Sequence, residues 1–397
     1  MKKGLFFIVF GLALSGLMGQ LAAQYTFFTP KGSFTVEVSL ENTNRHRLPI
    51  YRNAMTSLAV VGDYAVIGTR ANPGLSPFLA VVSLSRKSLE GVVDLAMILP
   101  GQRSIQSGFG RIGNVLYAGT IADEKGKGGR LISFKLGSRA FVGDTLGGEP
   151  VPGEGIFALT ADSTNKILYG ISCPSGKFFS FNLATGKSKV YGETAITDED
   201  RDYYHQWAVE PEDILSRSLV VDRQGRVYGS RPVNRLFRYD PRTDAIEGLP
   251  DELPEAWGRK ALGRVDSWAV AKDGTLYGGN AADGQLFRID PSTGRVVDLG
   301  KPYQMPRITG LAFGADGKLY GVAGAAPGYA HLFSYDPAGG GFKDFGNPRF
   351  DMVAPEIAGG IPWRGYQIAT VAASEDGSYI VLGEDESLSQ LMVFPVK

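Results

Sequence analysis

Six arginines stand just ahead of short, alternating apolar stretches: Arg52 (YRNAMTSLAV), Arg103 (RSIQSGFG), Arg217 (SRSLVV), Arg264 (GRVDSWAV), Arg307 (PRITGLAF) and Arg364 (WRGYQIATV). In the last three the arginine lies five residues before an alanine: Ala269, Ala312 and Ala369. A guanidinium is a planar fork of donors that pairs bidentately with carboxylate or sulfate. The chain has no net charge, with 41 basic against 41 acidic side chains. Arginines recurring at one point of a repeat in such a chain point to an anionic ligand, not to a generally basic surface for nucleic acid or membrane. The structural use of the same residues is to brace neighbouring elements through carbonyls and carboxylates. A second group lies in the long segment Glu193–Ser216, where Tyr203, Tyr204, His205 and Trp207 follow closely on one another. Tyrosine and neutral imidazole can exchange a proton, and an indole face stacks on a sugar ring. Of the three histidines, His46 falls in the other long segment, Glu41–Asn53, and His331 in AAPGYAHLF.

Other chemistries find no support. There is no phosphate-binding Walker loop, no HExxH and no GxSxG. Cys173 is the one cysteine, which excludes an internal disulfide and a cysteine-based metal site. DEDRD at Asp198–Asp202 lacks the spacing of a calcium loop, and the DG pairs at Asp273 and Asp316 are turn chemistry. Asn280, Glu154 and Glu384 are the candidates for a metal in a central channel, but do not form a convincing ligand set. Asn280 is also taken as a ligand contact, and Glu384 with Asp385 as the best carboxylate pair. No cofactor is expected, and a channel metal is left open.

The elements that position these residues are short strands. Ser267–Gly300 reads SWAVA, KDG, TLYGG, NAADG, QLFRID, PSTG, RVVDLG, which is four half-buried strands with a turn after each. The strand ending in Tyr-Gly or an apolar-Gly pair recurs at Gly68, Gly119, Gly170, Gly229, Gly278, Gly321 and Gly383. In most copies a second strand closes on Asp-Pro or Asn-Leu, as in LFRYDPRTD, LFRIDPSTG and FSFNLATG. Seven such units predict an all-β, seven-bladed β-propeller. The last repeat supplies three strands, so Phe34–Leu40 is expected to complete its blade by pairing around Leu391–Pro395. Residues 1–23 carry a lysine pair, an apolar run and a small-residue end, as a secretory signal peptide does. Residues 24–397 then form one propeller domain, secreted or periplasmic and monomeric, with no membrane attachment after cleavage. Loops that lead into the inner strands share one face at the channel mouth, where His46, Tyr203, Tyr204, His205 and the arginines are expected to meet.

The LYG…LFRYDP.TG pattern in seven copies behind a signal peptide resembles exported bacterial seven-bladed polysaccharide lyases of the ulvan-lyase type and, more distantly, oligogalacturonate and streptogramin lyases. The resemblance implies β-elimination on a uronate-containing polysaccharide by a tyrosine and a histidine, with an arginine neutralising the uronate carboxylate. Tyr203 or Tyr204 with Arg217 resembles the tyrosine and arginine elements. No histidine falls between Ile50 and Tyr204, so His46 or His205 would take the remaining part. The alternative is a non-catalytic propeller that binds an acidic glycan or a partner protein.

Overall fold

The Tyr-Gly and Leu-Phe pairs of the repeat are two halves of one packing unit. Gly170, Gly229, Gly278 and Gly321 each lie under the ring of a phenylalanine on the next strand, Phe179, Phe237, Phe287 and Phe333, all fully buried. A β-carbon on Gly278 would stand 2.2 Å from Cζ of Phe287. Gly278→Ala is therefore expected to cost about 1–3 kcal/mol by overpacking. Denaturant midpoints should show it, with a smaller loss when Phe287→Leu is added.

The computed structural model describes residues 27–28, 31–38, 54–123, 126–136, 141–205, 209–255, 260–324, 330–350, 363–364, 367–385 and 390–396. They form seven four-stranded antiparallel sheets, each running from an inner to an outer strand. The inner strands are Ala54–Val61, Gln102–Ile112, Gly155–Asp162, Val220–Val221, Val265–Val270, Ile308–Phe313 and Ile368–Ala373, for blades 1 to 7. The first two sheets touch through one extra bridge, Arg70 to Ser104. The Asp-Pro and Asn-Leu signals act as the sequence predicts. Carboxylate or amide oxygens of Asn182, Asp240, Asp290 and Asp336 accept from the backbone two residues on, at 2.9, 2.9, 2.8 and 2.9 Å.

The ring closes through the N-terminal strand. Phe34–Glu37 pairs antiparallel with Gln390–Val393, putting Phe34 opposite Val393 and Val36 opposite Leu391. Seven apolar clusters then fill the seven joints between neighbouring blades. Among them, Val36, Met55 and Val393 join blade 7 to blade 1, while Leu219 and Phe178 join blade 3 to blade 4. Among the described residues two short strands lie outside the repeat, both on the outer strand of blade 6: Phe27–Phe28 runs parallel to it beside Asn347 and Pro348, and Trp363–Arg364 pairs antiparallel with its end, Arg364 opposite Arg349. The proposed signal peptide, residues 1–23, lies outside the described residues.

The long segment between blades 3 and 4 holds an α-helix, Asp198–His205, that alternation-based reading passes over. Thr197 and Asp200 cap it reciprocally: the Thr197 hydroxyl accepts from Asp200 N at 3.1 Å, and Asp200 Oδ2 accepts from Thr197 N at 3.0 Å. Asp200 also pairs with Arg235 of blade 4 at 3.0 Å, which fixes the face the helix turns inward.

Candidate anion-binding site at the channel mouth

In six of the seven inner strands the register breaks at a bulge near the start, as between Val265 and Ser267 and between Ile308 and Gly310. A bulge adds a residue and re-aims a side chain. In blade 5 the bulged residue is Asp266, which it turns into the channel. Blade 4 places Arg217 at the same level, where its backbone N donates to Val265 O at 3.2 Å. Arg264 and Arg307 each stand one residue before the apolar residue that precedes their bulge.

These four side chains meet. Asp266 Oδ1 accepts from Arg264 Nε at 2.8 Å, and Oδ2 accepts from Arg307 Nε and Nη2 at 3.2 and 3.1 Å. Arg217 Nε stands 3.8 Å from Oδ1, buried and without a hydrogen-bond partner among the described residues, and its guanidinium lies over the Phe157 ring at 5.7 Å. The Asp266 and Arg264 side chains are 2% and 7% exposed, whereas Arg217 and Arg307 keep 26% and 27%. One pair is therefore sealed, and two guanidiniums remain open to the channel. Arg307 is held in a left-handed backbone conformation, φ +64°, which costs a non-glycine residue about 1 kcal/mol or more.

Arg217, Asp266 and Arg307 line an axial cavity of about 230 Å³ bounded by residues of all seven blades. Its wall is mixed: Thr56, Gln106, Thr160 and Thr309 are polar, while Leu159, Leu311 and Val371 are apolar. Trp268 lies on the wall with its indole N–H on Ser218 O at 3.3 Å. Across the channel Arg70, at the end of the second strand of blade 1, donates to Asp385 at 3.3 Å. Arg70, Arg217, Arg264 and Arg307 thus face two carboxylates, Asp266 and Asp385, a local surplus of positive charge. Ser218 Oγ and Thr370 Oγ1, on two further lining residues, are buried and have no hydrogen-bond partner among the described residues.

The electrostatics follow from this geometry. Burial pushes the Asp266 carboxyl up, but Arg264, Arg307 and Arg217 outweigh it and hold the group well below the usual carboxylate range. Burial lowers Arg217 to about 10, partly offset by Asp266, so it stays charged at neutral pH. Burial raises Asp385, and its neighbours Arg70, Arg217 and Arg307 only partly oppose the shift.

The remaining expected residues sit elsewhere. Arg103 is itself the residue at the bulge of its strand, between Gln102 and Ser104, pairs with Glu212 at 2.5 Å, and lines a separate cavity with Lys127 and Cys173. Burial pushes the Cys173 thiol up to about 12. Asn280 is fully buried, its amide donating to Pro254 O at 2.8 Å and accepting from Ala282 N at 2.9 Å, so it holds a loop together. Glu384 accepts from Gln390 N at 3.1 Å, which separates it from Asp385. Glu154 is bound to Ser175 at 2.6 Å, and His331 is buried against Tyr303 with Nδ1 on Asp344 at 3.0 Å. Neither lines the axial cavity.

Tyr203, Tyr204 and His205 do not share a face, because successive helical residues turn about 100° apart. Tyr204 follows Asp200 by one turn and is buried with Phe157, Ile196 and Ile214, burial raising its phenol above the ordinary value. Tyr203 and His205 are exposed, and none of the three lines the cavity. His46, Arg52, Trp207 and the side chain of Arg364 lie outside the described residues. The Arg364–Ala369 spacing is coincidental: by the bulge register Ala372 matches Ala269 and Ala312, and Gln367 takes the place of Arg264 and Arg307. Asp266, Arg70 and Asp385 were not anticipated as a group. The available signal was an acidic residue interrupting the apolar start of a strand in VDSWAV. Among the described residues no three His, Cys, Asp or Glu side chains gather where they could hold a metal.

No family model and no curated protein matches the chain. Solved structures do match in fold. Virginiamycin B lyase from Staphylococcus aureus superposes with a TM-score of 0.59 at 10% identity, over 92% of this chain and 100% of that one. The Cps50 (Swd1) β-propeller domain of Myceliophteria thermophila gives 0.56 at 10% identity, over 87% and 98%. The extracellular domain of the putative one component system BT4673 from B. thetaiotaomicron gives 0.51 at 13% identity, over 92% of this chain and 40% of that one. At these identities the likeness is one of fold, and the chain is an all-β propeller similar in architecture to all three.

Proposed function

We propose that this protein is an exported propeller that binds a carboxylate-bearing, hydroxylated ligand, the uronate unit of an acidic saccharide, at the mouth of its axial channel. The observation that carries the reading is the cluster of Arg217, Arg264 and Arg307 on the single buried carboxylate of Asp266, with two of the guanidiniums open to the cavity. The hydroxyl and amide groups of the wall suit sugar hydroxyls, and Trp268 offers an apolar surface beside them. Export rests on the composition of residues 1–23. No described tyrosine or histidine lines the cavity, so binding is preferred to β-elimination.

Calorimetric titration with galacturonate, glucuronate and neutral galactose tests this. The two uronates are expected to bind and galactose not to. Arg217→Ala and Arg307→Ala should each weaken binding by well over tenfold, the loss of a charge-assisted pair being worth about 2–5 kcal/mol. Equal binding of galactose, or no effect of either substitution, would refute the reading. Unsaturated-product absorbance from a uronate polymer would instead identify β-elimination.

A further inference from the structure

We propose that Asp385 is a specificity-determining residue of the axial cavity, taking a proton from solvent as a carboxylate ligand binds and donating it in a hydrogen bond to that ligand. The inference rests on the binding reading above and adds to it a proton stoichiometry.

The cavity holds two carboxylates in unequal surroundings. Asp266 of blade 5 is 2% exposed and gripped by Arg264 and Arg307, with Arg217 at 3.8 Å. Protonating it would break two charge-assisted contacts and leave three guanidiniums crowded together. Among the described residues Asp385 of blade 7 has one ion-pair contact, Arg70 of blade 1 at 3.3 Å, from a side chain that is itself 45% exposed. Its backbone N donates to Gln367 O at 2.8 Å, so the side chain is fixed at the cavity wall. The charged groups around it are Arg70, Arg217 of blade 4 and Arg307 of blade 6, with Asp266 and Arg264 beyond them. Its chain neighbour Glu384 is tied to Gln390 N. No described histidine lines the cavity.

A ligand carboxylate bridging Arg217 and Arg307 brings a third negative charge into a space of about 230 Å³. Carboxylates at close quarters do not all stay ionised, and the least supported one takes a proton. Burial already favours the acid form of Asp385, and the new charge favours it further. The acid form then has an O–H to donate to the ligand, which the ionised form lacks.

The test is calorimetry of the full chain with galacturonate, repeated in buffers of different ionisation enthalpy between about pH 5 and pH 7, where the ligand itself stays ionised. The expected result is uptake of up to about one proton per ligand, with affinity falling toward about tenfold per pH unit, in the window between the free-state and bound-state pKa of Asp385, both effects fading above the bound-state value. Asp385→Asn should abolish both the uptake and the pH dependence, whatever it does to affinity. The wild-type buffer series decides the matter by itself if that variant does not fold. Binding without proton uptake, or a pH dependence that survives in Asp385→Asn, overturns the role of Asp385 and leaves the binding reading standing. Absence of uronate binding at every pH overturns both.

Discussion

Asp266→Ala is expected to destabilise the protein by about 3–5 kcal/mol, seen as a lower denaturant midpoint with little change in slope. The size follows from what the carboxylate does. It is the common counter-charge of Arg264, Arg307 and Arg217, and the first of these is 7% exposed. Without it, a buried guanidinium loses its partner while two like charges remain nearby. Burying an ion pair gains little over burying apolar groups, whereas breaking one leaves an uncompensated charge. Adding Arg264→Met to Asp266→Leu should therefore restore part of what Asp266→Ala loses. The pH dependence has a definite sign. Because the folded-state pKa of Asp266 is depressed, its contribution is present above the unfolded value of about 3.9. It is lost as pH falls through the folded value. The gap between wild type and Asp266→Asn should thus be full at neutral pH, persist to about pH 4 and narrow below. A gap that closed near neutrality would show that Asp266 is not held ionised by its neighbours.

The architecture was legible because its signals are local. Each Asp-Pro or Asp-Gly turn is closed by a side chain on the next few residues, and each Tyr-Gly glycine answers to a phenylalanine on the following strand. Closure by Phe34–Glu37 was legible for a different reason: a three-stranded last repeat leaves an edge to be paired. The site was only partly legible, because a one-residue shift redirects a side chain and sequence spacing does not show bulges. Arg264 and Arg307 keep step with the bulges of their blades and reach Asp266, while Arg103 sits at the bulge of its own strand and reaches Glu212. Arg70 and Asp385 come from the ends of second strands, where a search confined to the loops before inner strands does not look. Tyr204 illustrates the opposite error. Its proximity in sequence to Tyr203 and His205 looked like a cluster, until the capped helix turned it into the core.

Removing residues 1–38 is expected to open the ring, and this should be the largest single loss in the molecule. The strand Phe34–Glu37 is the outer partner of Gln390–Val393, and Val36 and Val38 are buried in the cluster that joins blade 7 to blade 1. Burying two valines is worth about 1.5–3 kcal/mol each, so side-chain burial alone contributes several kcal/mol before the ladder is counted. Losing the strand also bares the Gln390–Pro395 edge, a template for pairing with another chain. The shortened chain should therefore unfold at lower denaturant and associate as its concentration rises, which sedimentation would detect. A synthetic peptide of residues 31–38 should reverse both effects by adding itself as the fourth strand. The same peptide with Val36→Asp should not, because a carboxylate placed opposite Leu391 would be buried without a partner. Full stability without residues 1–38 would mean that the three C-terminal strands close the ring alone, with blade 7 held by its inner-strand contacts to blades 6 and 1.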